Sequence, residues 1–203
     1  MLENQMMLLA VFERAALMLM TLFLLTRTRP FQRLFQKRDH TPAELVLVAA
    51  IFCLFAVFST YTGIPVEGAL INVRIIAIIS GGILFGPWVG IPAGVISGLH
   101  RYLIDMDGHT SIPCLIASII AGLLATWLHL RCRKSRLWLY GILAGMLCEG
   151  LTMLLIWLLT EPHEVGVEIV SHIAYPMIAG ALCIGLIIKL VQDLDDEKEL
   201  IAA

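Results

Sequence analysis

Residues 71–104 read INVRIIAIISGGILFGPWVGIPAGVISGLHRYLI, and the way this stretch folds decides the architecture. It is apolar enough to lie in a bilayer, yet it contains Arg74, His100 and Arg101. Glycine recurs at a four-residue spacing, at Gly82, Gly86, Gly90, Gly94 and Gly98, with Pro87 and Pro92 set among them. Small residues at this spacing let helix backbones approach closely in lipid, where packing replaces the hydrophobic effect as the driving force. Four-residue steps advance roughly 400° round a helix, so the stripe drifts by about 40° per step. Five glycines cannot share one contact line on a straight helix; a break at Pro87 would divide them into two shorter contacts. Gly141 and Gly145 are the expected packing partners.

The rest of the chain has the same character. It has 203 residues, of which 59% are hydrophobic and 15% charged, and its mean hydropathy is +0.89. A soluble domain carries about a quarter charged residues. Several apolar runs approach the roughly 20 residues that a helix needs to cross the hydrocarbon core. The expected fold is therefore all-α, a polytopic membrane helix bundle. Met6 to Thr26 could pass for a signal peptide, but Glu13 and Arg14 fall inside it and no basic segment precedes it. It reads as a retained first helix. Further apolar runs cover about 45–61, 112–130, 137–160 and 169–191.

The links between these runs sort by charge. RTRPFQRLFQKRDH at 27–40 has five Lys/Arg, and RCRKSR at 131–136 has four. GIPVEGAL at 63–70 and EPHEVGVE at 161–168 carry carboxylates and no cation, and DMDGHTS at 105–111 carries Asp105 and Asp107. Cation-rich links are expected in the cytoplasm and cation-free links on the other side. Residues 72–104 then begin and end on the outer side, and so must cross twice or dip in and return. Two short half-helices or a re-entrant hairpin, broken at Pro87 and Pro92, satisfy that parity, because broken helices survive at membrane depth where protein surrounds them. The competing count takes 74–98 as one straight span, giving six helices with both termini inside; it places the 27–40 link on the wrong side.

Nine of the 14 Lys/Arg lie in the two basic links, and Lys189 and Lys198 lie at or beyond the end of the last helix. Arg14, Arg74 and Arg101 remain. An arginine within an apolar segment is costly enough to mark a site. The ordinary alternative for Arg74 and Arg101 is snorkelling to the outer headgroups. The hairpin brings both ends of the stretch together, where two guanidinium groups would hold a carboxylate in fork geometry. Arg14 is expected to pair with Glu13, Glu149 or another carboxylate. Asn72, His100, Tyr102, Thr110 and Ser111 lie near the same level. Ser111, Cys114 and Ser118 stand at three- and four-residue spacing and can share a helix face. For each, the plainer reading is a hydroxyl bonded back to its own helix or a cysteine packed as a small apolar group.

The five cysteines include no CxxC pair, so neither a disulfide framework nor a zinc site is expected. No HExxH, GxSxG, Walker or dinucleotide motif occurs, so no catalytic site, metal, cofactor or nucleic-acid partner is expected.

The run NVRIIAIISGGILFGPWVGIPAGVISGLHRYLI followed by HTSIPCLIASIIAG resembles the five-transmembrane receptor domain of LytS/YhcK-type sensor histidine kinases. The likeness is closest to the pyruvate-sensing kinases of enteric bacteria, and extends through AVFERAALMLM, IPVEGALINVR and GMLCEGLTM. N-x-R, GG-x3-GP-x2-G and IPC together are far more specific than a lone glycine motif. The resemblance implies a bacterial inner-membrane receptor for a small carboxylate, pyruvate first among them, in a multi-pass protein whose C-terminus is cytoplasmic. It implies a homodimer, and a kinase module that passes the signal by phosphorelay to a response regulator. Other members of the family are linked to autolysin control and cell-wall metabolism. Carried over by position, Arg74, Arg101 and Cys114 match the family's polar motif. A polar position in related pyruvate sensors falls on Ala117 here, with Ser118 beside it.

The expected organisation is a receptor domain over 1–192 and the start of a cytoplasmic signalling helix over 193–203. No phosphoacceptor or ATP-binding motif is present, so the chain is expected to be a receptor fragment that is not itself an enzyme. The ligand-binding residues expected are Arg74, Arg101, Cys114, Ser118, Asn72 and His100. A transporter or its substrate-binding subunit is the competing class, since half-helices aimed at anions occur there too. A structural anchor whose glycines only pack is the third.

Overall fold

The computed structural model describes residues 2–26, 41–66, 69–132 and 136–202. The basic link at 27–40 and Glu67 lie outside them. Among the described residues there are eight helices and one small hairpin of strands. In chain order these are α1 (Leu2–Thr26), α2 (Pro42–Tyr61), β1 (Ile64–Val66), β2 (Ala69–Ile71), α3 (Arg74–Phe85) and α4 (Pro87–Ile104), then α5 (Ser111–Arg131), α6 (Leu137–Leu159), α7 (His163–Gly180) and α8 (Leu182–Ala202).

Four segments are long and apolar enough to cross a membrane: α2, α5, α6 and the continuous run His163–Asp193 that joins α7 to α8. The surface agrees with a lipid surrounding. Leu54 and Leu147 are 67% and 64% exposed, whereas Ser80, Ser97 and Ser118 are wholly buried. Inside, small and polar residues let the helices close on one another; outside, large apolar side chains meet the acyl chains.

The 71–104 stretch forms an antiparallel helical hairpin, α3 and α4, as the charge parity requires. Its break lies at Gly86, whose φ of +76° and ψ of −154° only glycine adopts without strain. Pro87 follows as the first residue of α4, where its missing N–H costs nothing. Pro92 does not break the chain as expected. It sits inside α4, which continues through it while packed on α2 and α5.

The hairpin is also longer than half-helices. α4 has 18 residues, about 27 Å at 1.5 Å per residue, close to the roughly 30 Å hydrocarbon thickness. Its tip meets the far end of α5, where His129 Nδ1 donates to the Ile83 carbonyl at 2.8 Å. Its two open ends meet the beginning of α5 at Thr110 and Cys114.

The glycine ladder packs on α5, not on Gly141 and Gly145. A Cβ at Gly94 would come within 2.5 Å of the Ser118 carbonyl oxygen, and one at Gly122 within 2.5 Å of the Gly90 carbonyl oxygen. Gly141 and Gly145 instead admit Ile188 and Ile184 of α8. The β1–β2 hairpin, paired antiparallel with Ile64 opposite Ile71, forms a lip between α2 and α3 within the 63–70 link.

Candidate functional site

At the end of the bundle where the hairpin opens, two arginines are buried in apolar surroundings. Arg101 is 0% exposed and Arg74 is 2% exposed. Each stands at a helix end: Arg74 is the first residue of α3, and Arg101 lies in the last turn of α4. The α3–α4 turn brings both to the start of α5, where Arg74 reaches the Cys114 carbonyl and Arg101 the Thr110 hydroxyl, although 26 residues separate them.

Their surroundings differ. Arg101 Nη2 donates to Asp105 Oδ2 and to Thr110 Oγ1, each at 3.1 Å. Asp105 is itself held in the tight loop before α5, where Ser111 Oγ donates to its carbonyl. Arg101 thereby fastens the α4–α5 corner. Arg74 has a single, long contact, from Nη2 to the Cys114 carbonyl at 3.4 Å. Its Nε and Nη1 are buried without a partner. Nε and Nη1 of Arg101 are likewise unpartnered, and buried guanidinium N–H groups without a partner are open to an anion.

The cavity that Arg74 faces is lined by Asn72, Thr110 and Cys114, by Glu149 and Thr152 of α6, by Ile173 and Met177 of α7, and by Ala69 and Leu70 of β2. Its empty space totals about 380 Å³ with the mouth included, while the enclosed part holds about one water molecule. Asn72 Oδ1 accepts the Arg74 backbone N–H at 3.2 Å at the start of α3. The N-termini of α3 and α5 both end at this cavity, and their dipoles add to its preference for an anion.

Of the six residues expected from the sequence, Arg74, Asn72 and Cys114 line this cavity, and Arg101 adjoins it through Thr110. Cys114 presents its carbonyl to Arg74. Ser118 is wholly buried one turn deeper in α5, and its Oγ donates back to the Cys114 carbonyl at 2.6 Å. His100 faces α2: its Nε2 lies 3.3 Å from the Tyr61 hydroxyl, and the two rings meet edge to face. Arg14 lines a separate cleft between α1 and α2 with Glu13, Ser59 and Thr62, and its Nη1 has no partner.

Glu149 is the residue sequence reasoning missed. It is 4% exposed, and its Oε2 has no hydrogen-bond partner. It interacts electrostatically with Arg74, without an ion pair between the two. The signal available was a lone carboxylate in a 23-residue apolar helix, which is as costly there as an arginine.

Known proteins are similar to this chain. The family model described as 5TMR of 5TMR-LYT matches residues 28–194. Among curated proteins, the chain is 58% identical to the sensor histidine kinase YpdA of Escherichia coli over 197 residues, which are 97% of this chain and 35% of that protein. It is 31% identical over 188 residues to the sensor protein LytS of Bacillus subtilis, covering 83% of this chain and 31% of the relative. It is 32% identical over 175 residues to the sensor histidine kinase BtsS of Escherichia coli, with the same coverage of 83% and 31%. No solved structure matches. The chain spans about a third of the length of these relatives. With most of its residues covered by the family model and a buried, polar-lined cavity inside a bundle of apolar helices, the chain belongs to the 5TMR-LYT family, the multi-pass membrane region it shares with sensor histidine kinases.

Proposed function

We propose that this chain is the ligand-sensing membrane domain of a two-component sensor kinase, and that its ligand is a small carboxylate, pyruvate being the first candidate. The observation that carries the reading is Arg74, buried with Nε and Nη1 unpartnered in a cavity whose other polar groups are mostly neutral. The carboxylate would accept from an unpartnered N–H of Arg74. The Thr110 hydroxyl, which accepts from Arg101 and retains its own proton, would donate to a second oxygen. Arg101 holds Thr110 in place and acts as a positioning residue.

The cavity walls come from α3, α5, α6 and α7. A three-carbon acid needs more room than one water molecule, so binding would part α6 and α7 from the hairpin. α7 runs on into α8, which gives that movement a path to the far end of the bundle. A ligand shifts such an equilibrium only by its differential affinity for the two packings. In the full protein we place the cavity mouth on the outer side of the bacterial inner membrane, the chain after residue 192 in the cytoplasm, and a homodimer as the signalling unit. A kinase module and a response regulator would lie downstream.

Calorimetry on the chain in lipid nanodiscs tests this. Pyruvate should bind the parent. Arg74→Ala should weaken binding roughly a hundredfold, the loss of two charge-assisted hydrogen bonds. Arg74→Lys should not restore it, because an ammonium lacks the planar fork. Parent-like affinity in a folded Arg74→Ala variant sinks the proposal. Accumulation of labelled pyruvate inside proteoliposomes containing this chain alone would favour a transporter instead.

A further inference from the structure

The cavity at Arg74 has two chemically different walls. α7 packs on α6 and α1 but makes little contact with α3 or α5. The cavity fills the space that separates α7 from the helices carrying Arg74 and Cys114. Across that space α7 contributes Ile173 and Met177, four residues apart on one helix face. Its polar side chains lie elsewhere. Glu164, Glu168, Ser171 and Tyr175 are exposed, and His172 Nδ1 lies 2.9 Å from the Glu168 carbonyl. One wall therefore offers a guanidinium and hydroxyl-bearing neighbours, and the other offers only apolar side chains. Both ends of α7 are also held close to their neighbours. A Cβ at Gly166 would lie 3.3 Å from the Ile156 carbonyl oxygen of α6, and one at Gly180 would lie 3.1 Å from Val11 of α1. α7 cannot move far without disturbing these contacts.

From this arrangement we infer that Ile173 and Met177 seat the non-polar end of the ligand and set its length, so that the site takes monocarboxylates with a short, unbranched tail. The inference rests on the carboxylate reading of the Arg74 site. A ligand whose carboxylate accepts from Arg74 presents its far end to α7. A methyl group there is buried against Ile173 and Met177. A hydroxyl or second carboxylate would lose its water opposite side chains that cannot hydrogen-bond. The enclosed space holds about one water molecule, so a three-carbon acid already parts the walls. One further methylene must displace Ile173 or push α7 harder against its neighbours. A single methylene in an apolar pocket discriminates by roughly 10- to 200-fold. Ile173 is 5% exposed, β-branched and stiff, whereas Met177 is unbranched and adaptable. Ile173 is the stricter gauge.

Pyruvate and 2-oxobutyrate differ by one methylene, and calorimetry with both on the chain in nanodiscs tests the gauge. The parent should bind 2-oxobutyrate about tenfold or more weakly than pyruvate. Ile173→Ala should raise the affinity for 2-oxobutyrate relative to pyruvate by about tenfold or more, and Met177→Ala should raise it less. Met177→Ala is also the variant to read where Ile173→Ala does not accumulate in folded form. Ile169→Ala makes the same deletion one turn away in α7, at a wholly buried side chain outside the cavity, and should leave the ratio at its parent value. Equal binding of the two acids by the parent overturns the inference, as does a parent-like ratio in every folded cavity variant. An equal rise in Ile169→Ala overturns it too, because general loosening of the bundle would then explain the change. Failure of the parent to bind pyruvate overturns the carboxylate reading of Arg74 and the gauge with it.

Discussion

Arg101 and Arg74 are both buried where the hairpin meets the start of α5, but the partners of their Nη2 atoms differ. Two contacts at 3.1 Å tie Nη2 of Arg101 into the α4–α5 corner, whereas Nη2 of Arg74 has one contact at 3.4 Å; Nε and Nη1 of both are buried without a partner. The Thr110 side of the Arg101 anchor is buried; the Asp105 side is 39% exposed and screened by solvent. Thr110→Val should therefore cost about 1–2 kcal/mol, the loss of a buried acceptor for a charged donor, and lower the melting temperature in detergent. Asp105→Asn should change it little. The reverse order would mean that the surface ion pair holds the corner. Asn72, Arg74 and Cys114 were legible in the sequence because polar residues in apolar runs are conspicuous and the hairpin parity gathers them. Glu149 was not, because sequence alone could not say which arginine an isolated carboxylate faces; Arg14 seemed the natural partner and lies elsewhere, beside Glu13. Ser118 and His100 share a level with the site, but rotation about the helix axis turns one toward its own backbone and the other toward Tyr61.

The α3–α4 hairpin and α5 form the tightest unit of the bundle, and their contact is made by absent side chains. Gly94 and Gly122 bring α4 and α5 backbones together at points where even a methyl group would lie 2.5 Å from a carbonyl oxygen. Backbone atoms cannot rotate aside, so Gly122→Ala should separate the helices and cost about 1–3 kcal/mol. Gly150 of α6 has nothing within 4 Å of the corresponding position. Gly150→Ala should be neutral or stabilise by up to about 1 kcal/mol through helix propensity. Thermal melts in one detergent compare the two directly, and equal losses would show that glycine content, not close approach, governs stability. Periodicity announced this ladder from the sequence but could not name its partner. Gly141 and Gly145 have the same spacing, and only the chain path decides that they receive α8 isoleucines while Gly122 receives α4. The β1–β2 lip was illegible for a different reason: strands of three residues are too short to show a period.

Across the whole molecule, charge and hydropathy are arranged by position along one axis. The end that carries Asp105, Asp107, the β lip and Pro162 also carries the cavity lined by Arg74, and the opposite end carries Arg131, Arg136 and the hairpin tip. Trp88, 69% exposed at that tip, stands where aromatic side chains favour a membrane interface. An even crossing of the 71–104 stretch then makes a prediction that a single straight span does not. Four of the native cysteines, Cys53, Cys114, Cys148 and Cys183, are buried, and Cys132 can be replaced by serine to give a quiet background. In intact spheroplasts a membrane-impermeant maleimide should label Pro65→Cys and Asp107→Cys, which flank the hairpin, and leave Trp88→Cys untouched. After permeabilisation Trp88→Cys should label as well, because α4 is long enough for its tip to reach the far interface. Labelling of Pro65→Cys and Asp107→Cys from opposite sides would break the parity. A Trp88→Cys that resists reagent from both sides would make the hairpin re-entrant, with its tip stopped inside the bilayer.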